Sequence, residues 1–278
     1  MVLYDSLPKL PRLLRALGQL DLAGLDVRLH FWDNTPGSGA RGLVLDDPTV
    51  LAVDFLESDA GNIGFGPAHN RLAYSFGYDS DYILLLNPDT IPFDDVLVRL
   101  VSAAQQRPRA ALVEAAQFPV EHQKAFDPIT GHTDWCCATC LLVRSDTFQR
   151  LGGFDECLFL YCEDVDLSWR AWLAGYECVY VPEARCAHIS QEDDIDKDRG
   201  PEIYHMELGN LYLRSKYFGG AAIEEHLAFL RPRFDGAFIE RLVGDLARIG
   251  VRQPARRRHP RVSCAPDHVN YGPTRWQP

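Results

Sequence analysis

The chain has 278 residues, eight of them cysteine, and carries 39 acidic against 28 basic side chains, a net charge of −11. That balance argues against nucleic acid as the main partner, and an acidic protein that takes an anionic nucleotide needs local help from a metal ion or a helix N-terminus. No apolar run approaches membrane-spanning length and the N-terminus lacks the layout of a signal peptide, so the reading is cytoplasmic: one large domain, or one with an extension, its cysteines held as thiols.

Val2-Leu3-Tyr4 is long enough only for the stub of a strand. Leu10, Leu13, Leu14 and Leu17 recur at helical spacing and predict an amphipathic helix from Pro8 to Leu20. Val27, Leu29 and Phe31 alternate with Arg28 and His30 in a strand that closes at Trp32-Asp33-Asn34, so Asp33 stands at a strand's carboxyl end. A further strand, Val50 to Leu56, leads into Gly61-Asn62-Ile63-Gly64-Phe65-Gly66-Pro67-Ala68-His69-Asn70, which opens a helix from Ala68 to Tyr78. The glycines suggest a dinucleotide loop, but His69 stands where GxGxxG needs its third glycine, and that reading is rejected.

Tyr82 to Leu86 is apolar without alternation, the pattern of a strand buried on both faces in a parallel sheet. Pro88 cannot donate to a ladder, so the strand should stop at Asn87 and leave Asp89 just past its carboxyl end, where open α/β sheets bind ligands. A carboxylate on such a turn can hold a divalent cation against phosphate oxygens; it can equally cap the next helix. Phe93 to Gln106 reads as that helix and Ala110 to Ala116 as another strand. The alternation predicts an α/β fold, a mainly parallel sheet with helices on both faces.

Gln117 to Asp134 is long, polar and poorly periodic, and Leu141 to Val143 is a short strand. Cys137-Ala138-Thr139-Cys140 has the CxxC form without a second pair at zinc-finger spacing, so small core residues are expected there. A turn at Gly152 to Glu156 precedes Glu163-Asp164-Val165-Asp166 and a helix from Leu167 to Ala174, on which Asp166 and Arg170 can pair. Cys178 to Val181 is a strand ended by Pro182, with His188 beyond it; Gln191 to Arg199 reads as a solvated acidic loop. Glu202 to Tyr217 is helical, and from Ala221 short helices broken at Pro232 present Phe238, Leu242 and Leu246 on one face. Arg252, Arg256, Arg257, Arg258 and Arg261 end the chain as a disordered, solvated tail, or as a segment that lies on anionic lipid. Residues 1–220 are read as the main domain and 221–278 as a helical extension with a basic tail.

Asp33, Asp89 and Glu163-Asp164 are the acidic points at sheet edges or helix starts. Transfer of a sugar from a nucleoside diphosphate needs such a set: one carboxylate to hold a metal against the departing diphosphate, one to take the acceptor's proton, one to read base or ribose. His188 can add a metal ligand or a diphosphate donor, although a lone His after a strand is more often structural.

Asn62-Ile63-Gly64-Phe65-Gly66 with Asn70, Leu84-Leu85-Leu86-Asn87-Pro88-Asp89-Thr90, and Gly152-Gly153-Phe154-Asp155-Glu156 followed by Phe159 to Arg170 together resemble the bacterial family 2 glycosyltransferases, most of all the rhamnosyltransferase-like branch. The resemblance runs from about Tyr4 to Gly219. It implies a GT-A fold, a nucleotide-sugar donor, Mg²⁺ or Mn²⁺, and inversion at the anomeric carbon. It further implies an acceptor hydroxyl on a glycan or lipid-linked molecule of cell-surface polysaccharide synthesis; peripheral membrane contact, by contrast, is read from the arginines of the basic tail. On the same resemblance, Asp164 is the catalytic base, Asp89 and His188 hold the metal, and Tyr4, Asp33, Asn62, Asn70, Asn87, Trp135 and Glu163 bind the nucleotide sugar. Trp135 and Arg144 would flank the sugar pocket. Arg170 is expected as a structural partner of Asp166. Two departures stand out: only Met1-Val2-Leu3 precede Tyr4, and Cys136-Cys137-Ala138 replaces a glycine-led small stretch. A sugar nucleotidyltransferase would need a lysine-bearing glycine loop after the first strand, which Asp5-Ser6-Leu7-Pro8-Lys9 does not supply. A non-catalytic nucleotide-sugar binding protein would not need both Asp89 and Asp164.

Overall fold

The computed structural model describes residues 1–48, 51–118, 125–189, 200–251 and 255–263. The acidic run Gln191 to Arg199, and Val50, Arg252 and Cys264, lie outside them. Strands β1 (Val2–Leu3), β2 (Leu29–Asp33) and β3 (Val53–Glu57) form a parallel sheet in that order. Parallel neighbours require crossovers, and helices supply them. A 3₁₀ turn at Leu7–Lys9 leads into α1 (Leu10–Leu17), which buries the four leucines that the periodicity singled out. Helix α2 (Ala40–Leu45) joins β2 to β3, and α3 (Phe65–Ser75) follows the glycine loop.

The second sheet contains β4 (Tyr82–Leu86), β5 (Thr90–Pro92), β6 (Ala110–Phe118), β7 (Cys140–Arg144) and β8 (Glu177–His188), ordered β4-β7-β6-β8-β5. Only β6 and β8 run parallel there; β4–β7, β6–β7 and β5–β8 are antiparallel. The α/β expectation holds, with the parallel part confined to the first sheet and the β6–β8 pair. The apolar run at Tyr82 did report burial on both faces: Leu84 and Leu86 join one core cluster, Ile83 and Leu85 another. Burial on both faces says nothing about the direction of the neighbouring strand.

Leu3, Leu10, Leu14, Phe31, Leu86, Leu100 and Val113 belong to a single core, so the two sheets and helices α1 and α4 (Val96–Gln106) share one interior. Helix α5 (Ser145–Leu151) was not foreseen; it has only seven residues, ended by Gly152 in the left-handed conformation. Helix α6 (Glu163–Leu173) begins at the acidic pair rather than at Leu167. Pro182 does not end its strand. The register jumps from Val181 opposite Ala115 to Arg185 opposite Ala116, so Pro182 sits in a bulge where no ladder donor is required.

Helices α7 (Gly200–Tyr217), α8 (Gly220–Leu230) and α9 (Gly236–Ile249) pack through Tyr204, Leu211, Leu227, Leu230 and Leu242. Asp235 caps α9 by accepting from Phe238 N at 2.8 Å. The described part of the basic tail is packed, which corrects the reading of a solvated end. Ala255 N donates to Lys216 O, Arg258 to Tyr217 O, His259 stacks on Trp172, and Arg261 pairs with Asp134 at 2.9 Å. Arg256 and Arg257 stay exposed.

Candidate active site

The glycine loop is built from side chains that accept its own amides. Tyr4 lies exposed just past β1, beside Asp33, because Leu3 is paired with Asp33 across β1 and β2. Asp33 is buried, and its two oxygens accept from Thr35 N at 2.8 Å and from the Ser38 hydroxyl at 2.6 Å. Asn34, which sequence reasoning passed over, accepts from Trp32 Nε1 and Ile63 N and donates to Gly64 O. A lone Asn after a strand gave no signal of that role. Asn62 accepts from Gly64 N at 2.9 Å. Gly64 has φ +98°, and a Cβ there would lie 2.6 Å from Phe159 O, so both backbone and space demand glycine. Asn70 faces protein: it accepts from Phe154 N at 2.8 Å and donates to Phe154 O at 2.9 Å. It also reaches Glu156 Oε1 at 3.1 Å and so clamps the turn after Gly152.

The turn after β4 brings three charged groups together. Asn87 N donates to Thr139 O, and Thr90 N donates back to Asn87 O. The unforeseen strand β5 then pairs Thr90 with His188. That pairing sets His188 Nε2 3.5 Å from Asp89 Oδ1, while His188 Nδ1 donates to Gln117 Oε1 at 2.9 Å. Lys9 Nζ approaches Asp89 Oδ2 at 3.4 Å. Burial works against ionising Asp89, yet His188 and Lys9 together outweigh it and hold the carboxyl below its ordinary value. Asp89 Oδ1 and Asn87 Oδ1 are buried without a hydrogen-bond partner among the described residues. An orphaned carboxylate oxygen facing an imidazole nitrogen fits a divalent cation with mixed O and N ligands. Among the described residues no group of three His, Cys, Asp or Glu side chains could hold a metal, so phosphate oxygens or water would complete the shell.

The third acidic point opens α6. Tyr161 and Cys162, neither of them glycine, both have positive φ of 67° and 69° just before it. Such backbone is costly and persists where surroundings enforce it; here a Cβ on Gly209 of α7 would come within 3.0 Å of the Cys162 side chain, so the glycine leaves that side chain its room. Asp164 is half-buried, and its oxygens accept from Ala138 N at 3.1 Å and Val165 N at 2.8 Å. Residues Ala138-Thr139 therefore join Asp164 to the Asn87–Asp89 turn through adjacent backbone groups. Glu163 is buried beside Asp164; burial first, then the charge of Asp164, push its carboxyl well above the usual range.

Trp135 is buried in a cluster with Leu158, Val165 and Trp169, next to the start of α6. Arg144 pairs across β7 with Tyr82, at the far end of β4 from Asn87, and donates to the carbonyls of Ala104 and Ala110. Arg170 is a partner of Asp166, at 2.6 Å, and also holds the carbonyls of Leu151 and Gly153. Lys216, unremarked in the sequence, is buried between Asp155 at 2.6 Å and Asp166 at 2.7 Å. Cys137 and Cys140 are both buried; a Cys186 contact and burial raise the Cys140 thiol well above its ordinary value.

No family model matches the sequence. The chain is 28% identical over 231 residues to the N-acetylglucosaminyl-diphospho-decaprenol L-rhamnosyltransferase of Mycobacterium tuberculosis, spanning 67% of this chain and 74% of that protein. It is 30% identical over 192 residues to the rhamnosyltransferase WbbL of Escherichia coli, spanning 56% of this chain and 72% of WbbL. Among solved structures, the mannosyltransferase PcManGT of Pyrobaculum calidifontis, in complex with GDP-Man and Mn²⁺, superposes with a TM-score of 0.58 at 15% identity, covering 89% of this chain and 68% of that one. S. aureus TarS 1–349 with UDP-GlcNAc superposes with a TM-score of 0.56 at 11% identity, covering 89% and 70%. At these identities the superpositions speak for a shared GT-A fold.

Proposed function

The chain belongs to the rhamnosyltransferase-like branch of the family 2 glycosyltransferases, and from that premise we propose that it moves rhamnose from a nucleoside-diphosphate donor to a hydroxyl of a lipid-linked or glycan acceptor, with inversion at the anomeric carbon. The observation that carries the reading is Ala138-Thr139, whose backbone holds Asp164 on one side and the Asn87–Asp89 turn on the other. Proton acceptor and diphosphate end are thus fixed to one rigid segment.

Asp164 takes the acceptor's proton as the hydroxyl oxygen attacks the anomeric carbon and the bond to the diphosphate oxygen breaks. A helix N-terminus favours the ionised carboxylate it needs. Glu163 is buried beside Asp164, and that burial together with the charge of Asp164 pushes its carboxyl well above the usual range. Asp89 and His188 would hold Mn²⁺ or Mg²⁺, which when bound neutralises the departing diphosphate. Tyr4 and Asp33 border the nucleoside end, with Asp33 acting mainly through the loop it closes. Contact with the membrane that carries a lipid-linked acceptor falls to the exposed Arg256 and Arg257; among the described residues no helix is long and apolar enough to cross a membrane.

The test is transfer from a nucleotide-rhamnose donor to a lipid-linked N-acetylglucosamine acceptor, with and without chelator. Asp164→Asn should lower turnover roughly a hundred- to ten-thousandfold, the usual worth of a general base. It should leave nucleoside-diphosphate affinity near wild type and lower stability by only about 1 kcal/mol, because the single asparagine carbonyl oxygen keeps one of the two bonds from Ala138 N and Val165 N. Near-normal turnover in that variant would refute the base, and full activity in chelator would refute the metal.

A further inference from the structure

We propose that Lys9 is a diphosphate ligand of this site, held on Asp89 while the nucleotide is absent, so that metal capture becomes conditional on nucleotide. The inference rests on the reading of Asp89 as the diphosphate end of the site.

The fold, not a surface rotamer, brings Lys9 there. It is the last residue of the 3₁₀ turn after β1, with its N–H bonded to Ser6 O at 2.9 Å. The next residue begins α1, which is anchored by Leu10, Leu13, Leu14 and Leu17 in the shared core. Across 80 residues of sequence the ammonium meets Asp89 Oδ2 at 3.4 Å, and about a third of the lysine side chain remains exposed. Lys9 is thus the basic side chain facing Oδ2, while His188 faces Oδ1.

Charge then dictates an order of events. Asp89 and Lys9 together are neutral. A divalent ion on Asp89 Oδ1 would face the lysine's like charge across a single carboxylate, without enough anion to satisfy both. A diphosphate supplies that anion. The lysine's flexible stem and three rotatable donors let it move from carboxylate to phosphate oxygen without a backbone change. Asp89 is then released to the ion. Nucleotide should therefore raise metal affinity, and metal should raise nucleotide affinity by the same factor.

Free Mn²⁺ is counted by electron paramagnetic resonance in titrations of the full chain, wild type and Lys9→Gln, without nucleotide and with saturating UDP. Calorimetry measures pyrophosphate and UDP binding in chelator. Lys9→Gln should bind Mn²⁺ alone about fivefold more tightly, the scale of a partly exposed ion pair, and bind pyrophosphate and UDP about fivefold more weakly in chelator. Lys9→Arg should keep wild-type pyrophosphate binding. Unchanged Mn²⁺ affinity or unchanged pyrophosphate affinity in Lys9→Gln, with a wild-type melting curve, overturns the proposal. Asp89→Ala separates the two readings. If it abolishes Mn²⁺ binding while Lys9→Gln changes nothing, only the role of Lys9 falls. If Asp89→Ala leaves Mn²⁺ and UDP binding intact, the placement of the diphosphate end falls first.

Discussion

Replacing Lys216 by Met removes one ammonium and keeps most of the stem, which isolates the buried ionic knot behind α6. Lys216 Nζ donates to Asp155 Oδ2 at 2.6 Å and Asp166 Oδ1 at 2.7 Å, with its side chain only 4% exposed. Removing one partner of a buried ion pair typically costs about 3–5 kcal/mol, because the other charge is stranded. Here neither carboxylate is fully stranded. Asp166 keeps Arg170 at 2.6 Å and the Tyr217 hydroxyl at 2.8 Å, and Asp155 keeps the Tyr212 hydroxyl at 2.7 Å. The expected loss is therefore at the low end, about 3 kcal/mol, or roughly 9 °C in melting temperature for a chain of this size. Acidity gives a second check. Burial disfavours the charged form of Asp155, but Lys216 and then Tyr212 prevail and hold its carboxyl down at about 2, below its ordinary 3.8. A depressed carboxyl contributes stability above its unfolded value and loses it as pH falls toward the folded one; the shift amounts to about 2 kcal/mol. The gap between wild type and Lys216→Met should stay level from about pH 8 to about pH 5 and narrow below about pH 4. Urea melts across that range read it directly. A loss under about 1 kcal/mol at neutral pH, or a gap that widens in acid, would refute the reasoning. The double variant with Asp155→Asn should lose less than the sum of the two single losses.

Gly64→Ala should cost about 3 kcal/mol, since its Cβ meets Phe159 O at 2.6 Å on a backbone of φ +98°; a neutral urea melt would mean that the glycine loop is not packed on the Phe159 turn. Truncation after Gly250 removes the His259–Trp172 stack, the Arg261–Asp134 pair and the Val262 contacts. It should lower stability by about 2 kcal/mol and abolish salt-sensitive binding to vesicles of anionic lipid. An unchanged melting temperature would refute the packing of the tail, and a full-length chain that ignores such vesicles would refute its lipid role.

What the sequence determined by itself is local and periodic. The leucine spacing of α1, the apolar run of β4 and its stop before Pro88, and the Asp166–Arg170 pair all depend on neighbours a few residues away, and each reappears in the structure. Burial on both faces of β4 was legible, but its antiparallel neighbour was not, because an apolar pattern carries no strand direction. Pro182 misled for a related reason: the loss of a donor ends a strand only where a donor is required, and the bulge opposite Ala115 and Ala116 requires none. The candidate site was legible as a set of carboxylates and not as a geometry. Asp89, His188 and Lys9 come from three distant stretches and meet only because β5 pairs with the end of β8 while α1 is seated in the core both sheets share. Asn70, Trp135 and Arg144 have side chains that suit a sugar pocket, and only the tertiary packing shows their protein partners: Phe154 for Asn70, the Val165 cluster for Trp135 and the Ala110 carbonyl for Arg144. A residue type states which bonds a side chain can make; which partner it finds is decided by segments that the sequence places far apart and the core brings together.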